Sequence, residues 1–130
     1  MWLVTMIDEH ICCNGVKVQK WQSIDGWDIV IMKDGVVQST TLASNITQAN
    51  ALFLQKIRDI ECGALLLSPL NQKALCVNGF VVEMTIFRKK YRIKTYLNDK
   101  VISTISVDEF KDALSHYRSK IEEYQFLRIL

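Results

Sequence analysis

The chain has 130 residues, 49% of them hydrophobic and 23% charged, with a formal net charge of +2. That length supports one domain with a substantial core. The composition excludes a disordered chain, and no apolar run approaches the roughly 20 residues a membrane helix needs.

In chain order, Met1–Ile7 is rich in Trp, Val and Ile and reads as a strand, turned by Asp8–Ile11. Asn14-Gly15 is a turn dipeptide, after which Val16, Val18 and Lys20 share one face of a second strand and Lys17, Gln19 and Trp21 the other. Asp25-Gly26 turns into a third strand, Trp27–Lys33. Asp34-Gly35 has the chemistry of a two-residue hairpin turn with positive φ, and Val36–Thr41 follows as a fourth strand. Asn45 with Gln48 three residues later starts a helix over Ile46–Glu61, and Gly63 ends it.

The second half repeats the order. Ala64–Leu67 reads as a short strand closed by Ser68-Pro69, and Gly79–Arg88, Tyr91–Leu97 and Val101–Ile105 as three more. Ser106 and Glu109 form an S-x-x-E capping box ahead of a closing helix, Val107–Leu127. Its apolar stripe is Phe110, Leu114, Tyr117, Ile121 and Tyr124. At an offset of about 64 residues, Cys12-Cys13-Asn14-Gly15 falls on Cys76-Val77-Asn78-Gly79, Phe53 on Tyr117, Lys56 on Lys120 and Ile57 on Ile121. One extra residue near Asn98-Asp99-Lys100 is expected to shift that register, so that Val36 matches Val101. The expected fold is α+β: a single domain over residues 1–130, built of two ββββα repeats (1–63 and 64–130) whose antiparallel sheets pack with two helices.

Little in the chain points to catalysis or to a cofactor. His10 lies beside Asp8 and Glu9, His116 lies outside the helix stripe, and no nucleophile, phosphate-loop or dinucleotide motif occurs. Cys12, Cys13, Cys62 and Cys76 form no C-x-x-C pair, and the adjacent Cys12 and Cys13 would point to opposite strand faces. No metal, no cofactor and no enzyme activity are expected. Cys12 and Cys76 occupy equivalent positions, either as a juxtaposed thiol pair or as small buried hydrophobes. The opening residues carry no basic leader and meet Asp8 and Glu9 early, so the expected location is cytoplasmic.

Charge separates the two halves: residues 1–65 hold five Lys/Arg against seven Asp/Glu, and residues 66–130 eleven against seven. In Phe87-Arg88-Lys89-Lys90-Tyr91-Arg92-Ile93-Lys94-Thr95-Tyr96, strand alternation puts Arg92, Lys94 and Tyr96 on one face and Tyr91, Ile93 and Thr95 on the other. Arg88, Lys89, Lys90, Arg92 and Lys94 with Phe87, Tyr91 or Tyr96 make a candidate surface for single-stranded nucleic acid. The first half offers the opposite sign. Asp25, Asp28 and Asp34, with Asp8 and Glu9 nearby in sequence, suit a basic protein partner, and Trp21 or Trp27 would anchor it.

The order ββββα–ββββα, with Ser106-Val107-Asp108-Glu109-Phe110-Lys111-Asp112-Ala113-Leu114 starting a helix after a strand, resembles the duplicated Whirly and Pur-repeat architecture. That resemblance covers nearly the whole chain and implies binding of single-stranded DNA or RNA on the sheets. The same architecture is used by some small immunity proteins of contact-dependent growth-inhibition systems, which block a cognate nuclease toxin. Two functions are therefore expected in turn: a non-enzymatic inhibitor that occludes a toxin's active site through the acidic surface, or a single-stranded nucleic-acid-binding protein.

Overall fold

Alternating apolar residues bounded by tight turns dictate antiparallel hairpins, and a computed structural model of the chain bears this out. It describes residues 4–12, 15–24, 26–63 and 70–130. The strands are β1 (Thr5–Ile11), β2 (Lys17–Ser23), β3 (Gly26–Lys33), β4 (Val36–Ala43), β5 (Asn71–Cys76), β6 (Phe80–Phe87), β7 (Lys90–Leu97), β8 (Lys100–Val107) and β9 (Phe126–Ile129). The helices are α1 (Ile46–Glu61) and α2 (Phe110–Glu123). The fold is α+β, with a four-stranded sheet ordered β1-β2-β3-β4 and a five-stranded sheet ordered β8-β7-β6-β5-β9, every pairing antiparallel. The chain divides between Pro69 and Leu70 into two compact units, each with its own sheet and helix.

In the first unit one face of the sheet packs on the helix. Val18 lies opposite Ile31, and Lys20 opposite Ile29, so these side chains point the same way. With Val16, Ala43, Ala49, Phe53 and Ile60 they build a core between β2, β3 and α1. Burying each large apolar side chain contributes about 1.5–3 kcal/mol. Lys20 points into this layer as well, where its Nζ donates to Asn50 Oδ1 and sits 4.9 Å from the centre of the Phe53 ring. Asn45 caps α1, its Oδ1 accepting from the Gln48 backbone N–H at 2.8 Å, while Gln48 Oε1 accepts from the Ser44 N–H. Gly63, at φ +70, ends the helix by donating to the Ile60 carbonyl.

The second unit repeats these bounds at an offset of 64 residues: β3 and β4 map onto β7 and β8 without slippage, and α1 and α2 begin at Ile46 and Phe110. Even the irregularity is repeated. The β3–β4 ladder shifts register after Ile31, and the β7–β8 ladder after the equivalent Thr95. No residue is inserted before β8. Asn98 and Asp99 both take positive φ (51° and 65°), as Asp34 and Gly35 do (52° and 76°), so the two turns are the same length and Val36 matches Lys100. On the inner face, Val82, Met84, Tyr91, Ile93 and Thr95 meet Phe110, Ala113, Leu114, Tyr117 and Ile121 of α2, all buried.

Several expected boundaries move. β1 continues through Asp8–Ile11 instead of turning there, because Asp8 and Glu9 are cross-strand partners of Lys20 and Gln19, and Gln19 Nε2 donates to Glu9 Oε2 at 2.7 Å. Ser106 caps nothing: it belongs to β8 opposite Arg92, and Glu109 holds the cap position without a side-chain bond. α2 stops at Glu123, where Gln125 at φ 61° turns the chain back so that β9 pairs with β5. β5 itself was hidden by its polar Asn71-Gln72-Lys73, whereas the expected strand Ala64–Leu67 lies outside the described residues. Among the described residues no helix is long and apolar enough to cross a membrane.

Candidate nucleic-acid interface

On the face of the second sheet opposite α2, the described strand residues are exposed or half-buried. Cross-strand partners point the same way, so its side chains form rows running across the strands. One row is Lys73, Glu83, Lys94 and Thr104; the next is Asn71, Thr85, Arg92 and Ser106; a third runs Arg128, Leu75, Val81, Tyr96 and Val101. None of these residues is buried, whereas the inward-facing Gln72, Ala74, Cys76, Val82, Met84, Tyr91, Ile93 and Thr95 all are. With Lys90 the strands of this face present five basic side chains and one acidic one, Glu83. Lys90, Arg92 and Lys94 alternate along β7 at a spacing of roughly 7 Å, two residues of strand rise.

Glu83 is already engaged. Its carboxylate lies 3.7 Å from Lys73 Nζ and accepts from the Tyr96 hydroxyl at 3.1 Å. Burial, then the hydrogen bond to Glu83 and its charge, push the Tyr96 phenol above its ordinary pKa, so it stays a protonated donor through the physiological range. The bond also fixes the ring. Beside Tyr96 lies a cavity of about 340 Å³ lined by Lys73, Val81, Asn98, Asp99 and Leu130 among others, at the small end of the range for ligand pockets.

The β6–β7 turn is the basic tip. Arg88 and Lys89 both adopt left-handed φ (51° and 64°), a conformation that costs roughly 1–2 kcal/mol per non-glycine residue. In the β3–β4 turn, by contrast, one of the two left-handed positions is a glycine, Gly35 beside Asp34. Phe87 is 58% exposed, with the Arg88 guanidinium 5.1 Å from its ring centre. Lys90 pairs with Asp108 at 3.7 Å, both well exposed, so this contact is weak and easily exchanged for another anion. Replacing the tip by Arg88→Asn/Lys89→Gly, the preferred sequence for this turn, is expected to raise stability by about 1–2 kcal/mol. An unchanged denaturation midpoint would show that the tip is unstrained.

The sequence-based site residues sort unevenly. Arg88, Lys89, Lys90 and Arg92 are exposed and Lys94 and Tyr96 half-buried on the face opposite α2 or its tip. Tyr91 is not part of it: 4% exposed, it faces inward with its ring 5.7 Å from that of Phe110, and burial raises its pKa. Lys73 and Arg128 were missed because β5 and β9 were not recognised as strands, and Glu83, on the recognised strand β6, because its cross-strand partners Lys73 and Lys94 come from β5 and β7. Of the acidic residues expected on the surface of the first unit, Asp8, Glu9 and Asp34 are exposed and Asp28 is not. Asp28 is 1% exposed, since this sheet buries both faces at its centre, with Ile29, Val30 and Ile31 at 0%, 0% and 1%. Asp25 lies outside the described residues. Asp34 is exposed at its turn; Trp27 packs on the core and half-buried Trp21 donates to Gln19 Oε1, so neither ring projects as an anchor.

Comparison with protein-family models, with characterised proteins and with solved structures finds no match to this chain.

Proposed function

We propose that this protein binds single-stranded DNA or RNA, without catalysis, on the face of the β8-β7-β6-β5-β9 sheet opposite α2. One observation carries the reading: Arg92, Lys94, Lys90, Lys73 and Arg128 share that sheet face with Tyr96 and the exposed Phe87 ring. The cations hold successive phosphates, and the rings give bases a stacking platform that tolerates any sequence. Tyr96, pinned by Glu83, presents a ring already in place, so little side-chain freedom is lost on stacking. The cavity beside it has the volume for one base, with Asn98 and Asp99 in its lining to meet polar edges.

The duplicated architecture supports the same reading, because the Whirly and Pur-repeat proteins it resembles use their sheets in this way. The two repeats are not equivalent in this role. At the positions of Arg92 and Lys94 the first unit carries the buried Asp28 and Val30, so one sheet does the binding. Thiols at Cys62 and Cys76 fit the reducing cytoplasm as its location.

The test is fluorescence anisotropy of labelled oligo(dT) and oligo(U) against the purified chain across a salt series. Four to five phosphate contacts predict that log K falls against log salt with a slope of about −3, near 0.7 per contact on a single strand. Absence of binding at low salt would remove this reading and turn the search to a protein partner, such as the nuclease toxin of an immunity pair.

A further inference from the structure

The side chains of His10, Cys12 and Glu61 converge in the first unit, with one ligand-type atom from each lying within 4.8 Å of the others. Their placement follows from the ladder. His10 lies opposite Val18, and the Cys12 backbone N–H donates to the Val16 carbonyl, so both side chains turn toward the face that α1 covers. Glu61 is the last residue of α1 and reaches the same corner. We propose that these three residues bind one zinc ion, joining the end of β1 to the C-terminus of α1.

The donor set is that of zinc: an imidazole nitrogen, a thiolate and a carboxylate, leaving a fourth tetrahedral position for water. Ligands of one tetrahedral zinc lie roughly 3.3–3.8 Å apart. His10 and Glu61 are exposed and close the remaining distance by rotation, while buried Cys12 stays as the fixed point. The thiolate and carboxylate neutralise the ion, and the negative end of the α1 dipole favours a cation there. The second unit marks the contrast. Ala74, Cys76 and Gln125 occupy the equivalent positions, so its ligand set is incomplete, and its first strand is instead secured by β9. Among the described residues β1 has no strand on its outer side, and a zinc clamp would secure it by another means.

The experiment is titration of the metal-free full chain with Zn²⁺ against a chromophoric chelator, with Co²⁺ as a spectroscopic probe. One equivalent should bind, raise the melting temperature, and give with Co²⁺ a thiolate charge-transfer band. His10→Ala and Glu61→Gln, both at exposed positions, should each weaken Zn²⁺ binding at least about 10-fold. Cys62→Ser and Cys76→Ser should leave it unchanged. Binding that survives His10→Ala, that is lost in Cys62→Ser, or that falls well short of one equivalent would overturn the proposal.

Discussion

Arg92→Thr/Lys94→Thr is expected to weaken binding of a single-stranded oligonucleotide about 100-fold at low salt and to leave the fold intact. A charge-assisted contact is worth about 1.5–3 kcal/mol, and two of them exceed the 2.8 kcal/mol that corresponds to a factor of 100. The salt slope should flatten by about 1.4, the share of two phosphate contacts on a single strand. Threonine is chosen because it is a good strand former and because Thr85 and Thr104 already stand beside these positions. Both native side chains lie off the buried face, so circular dichroism and the denaturation midpoint should hardly move. Loss that is equal for all oligonucleotide sequences fits a phosphate role. Unchanged affinity would show that the nucleic acid, if bound, lies elsewhere.

That surface was readable in advance wherever local chemistry decides the structure. Alternation along Tyr91–Tyr96 separates its two faces because strand geometry leaves no other choice, and Asp34-Gly35 and Asn45/Gln48 announce a turn and a cap through groups that act on their own neighbours. Distant partners left no such mark. β5 is a strand because β6 and β9 flank it, and its Asn71-Gln72-Lys73 start carries no strand signal. The apolar spacing of α2 runs on through Tyr124 and Leu127, so nothing forewarns that Gln125 adopts left-handed φ and sends β9 back. Ser106 and Glu109 match a cap by spacing, yet the ladder with β7 claims Ser106 first.

Burial of both faces was equally illegible. Alternation correctly sets Asp28 apart from Trp27 and Ile29, but it cannot say that the second face is covered too, and an acid read as surface proves 1% exposed. The proposed zinc ligands show the same limit in another form. His10 and Cys12 share a face by simple i, i+2 spacing, but Glu61 joins them only because α1 folds back across β2 and β3. Attention to the adjacent Cys12 and Cys13 looks for ligands along the chain, where the fold gathers them across it.

Tyr117→Ala is expected to cost about 3–5 kcal/mol, the range for truncating a buried aromatic side chain, and to unfold much of the second unit at 37 °C. Tyr117 is fully buried on α2, and its hydroxyl accepts from Gln72 Nε2 at 3.3 Å. Tyr117→Phe keeps the ring and removes the hydroxyl, so it should cost only about 1 kcal/mol. Urea denaturation of the two variants separates packing from polar contact. If Phe proved as damaging as Ala, the hydroxyl and its contacts, not the ring, would hold α2 in place. The same pair bears on function, because α2 packs on the inner side of β6 and β7 while Arg92 and Lys94 project from the outer side. Tyr117→Ala should therefore lose oligonucleotide binding together with its far-ultraviolet circular dichroism, whereas Arg92→Thr/Lys94→Thr should lose binding alone. That difference distinguishes residues that make the platform from residues that touch what lies on it.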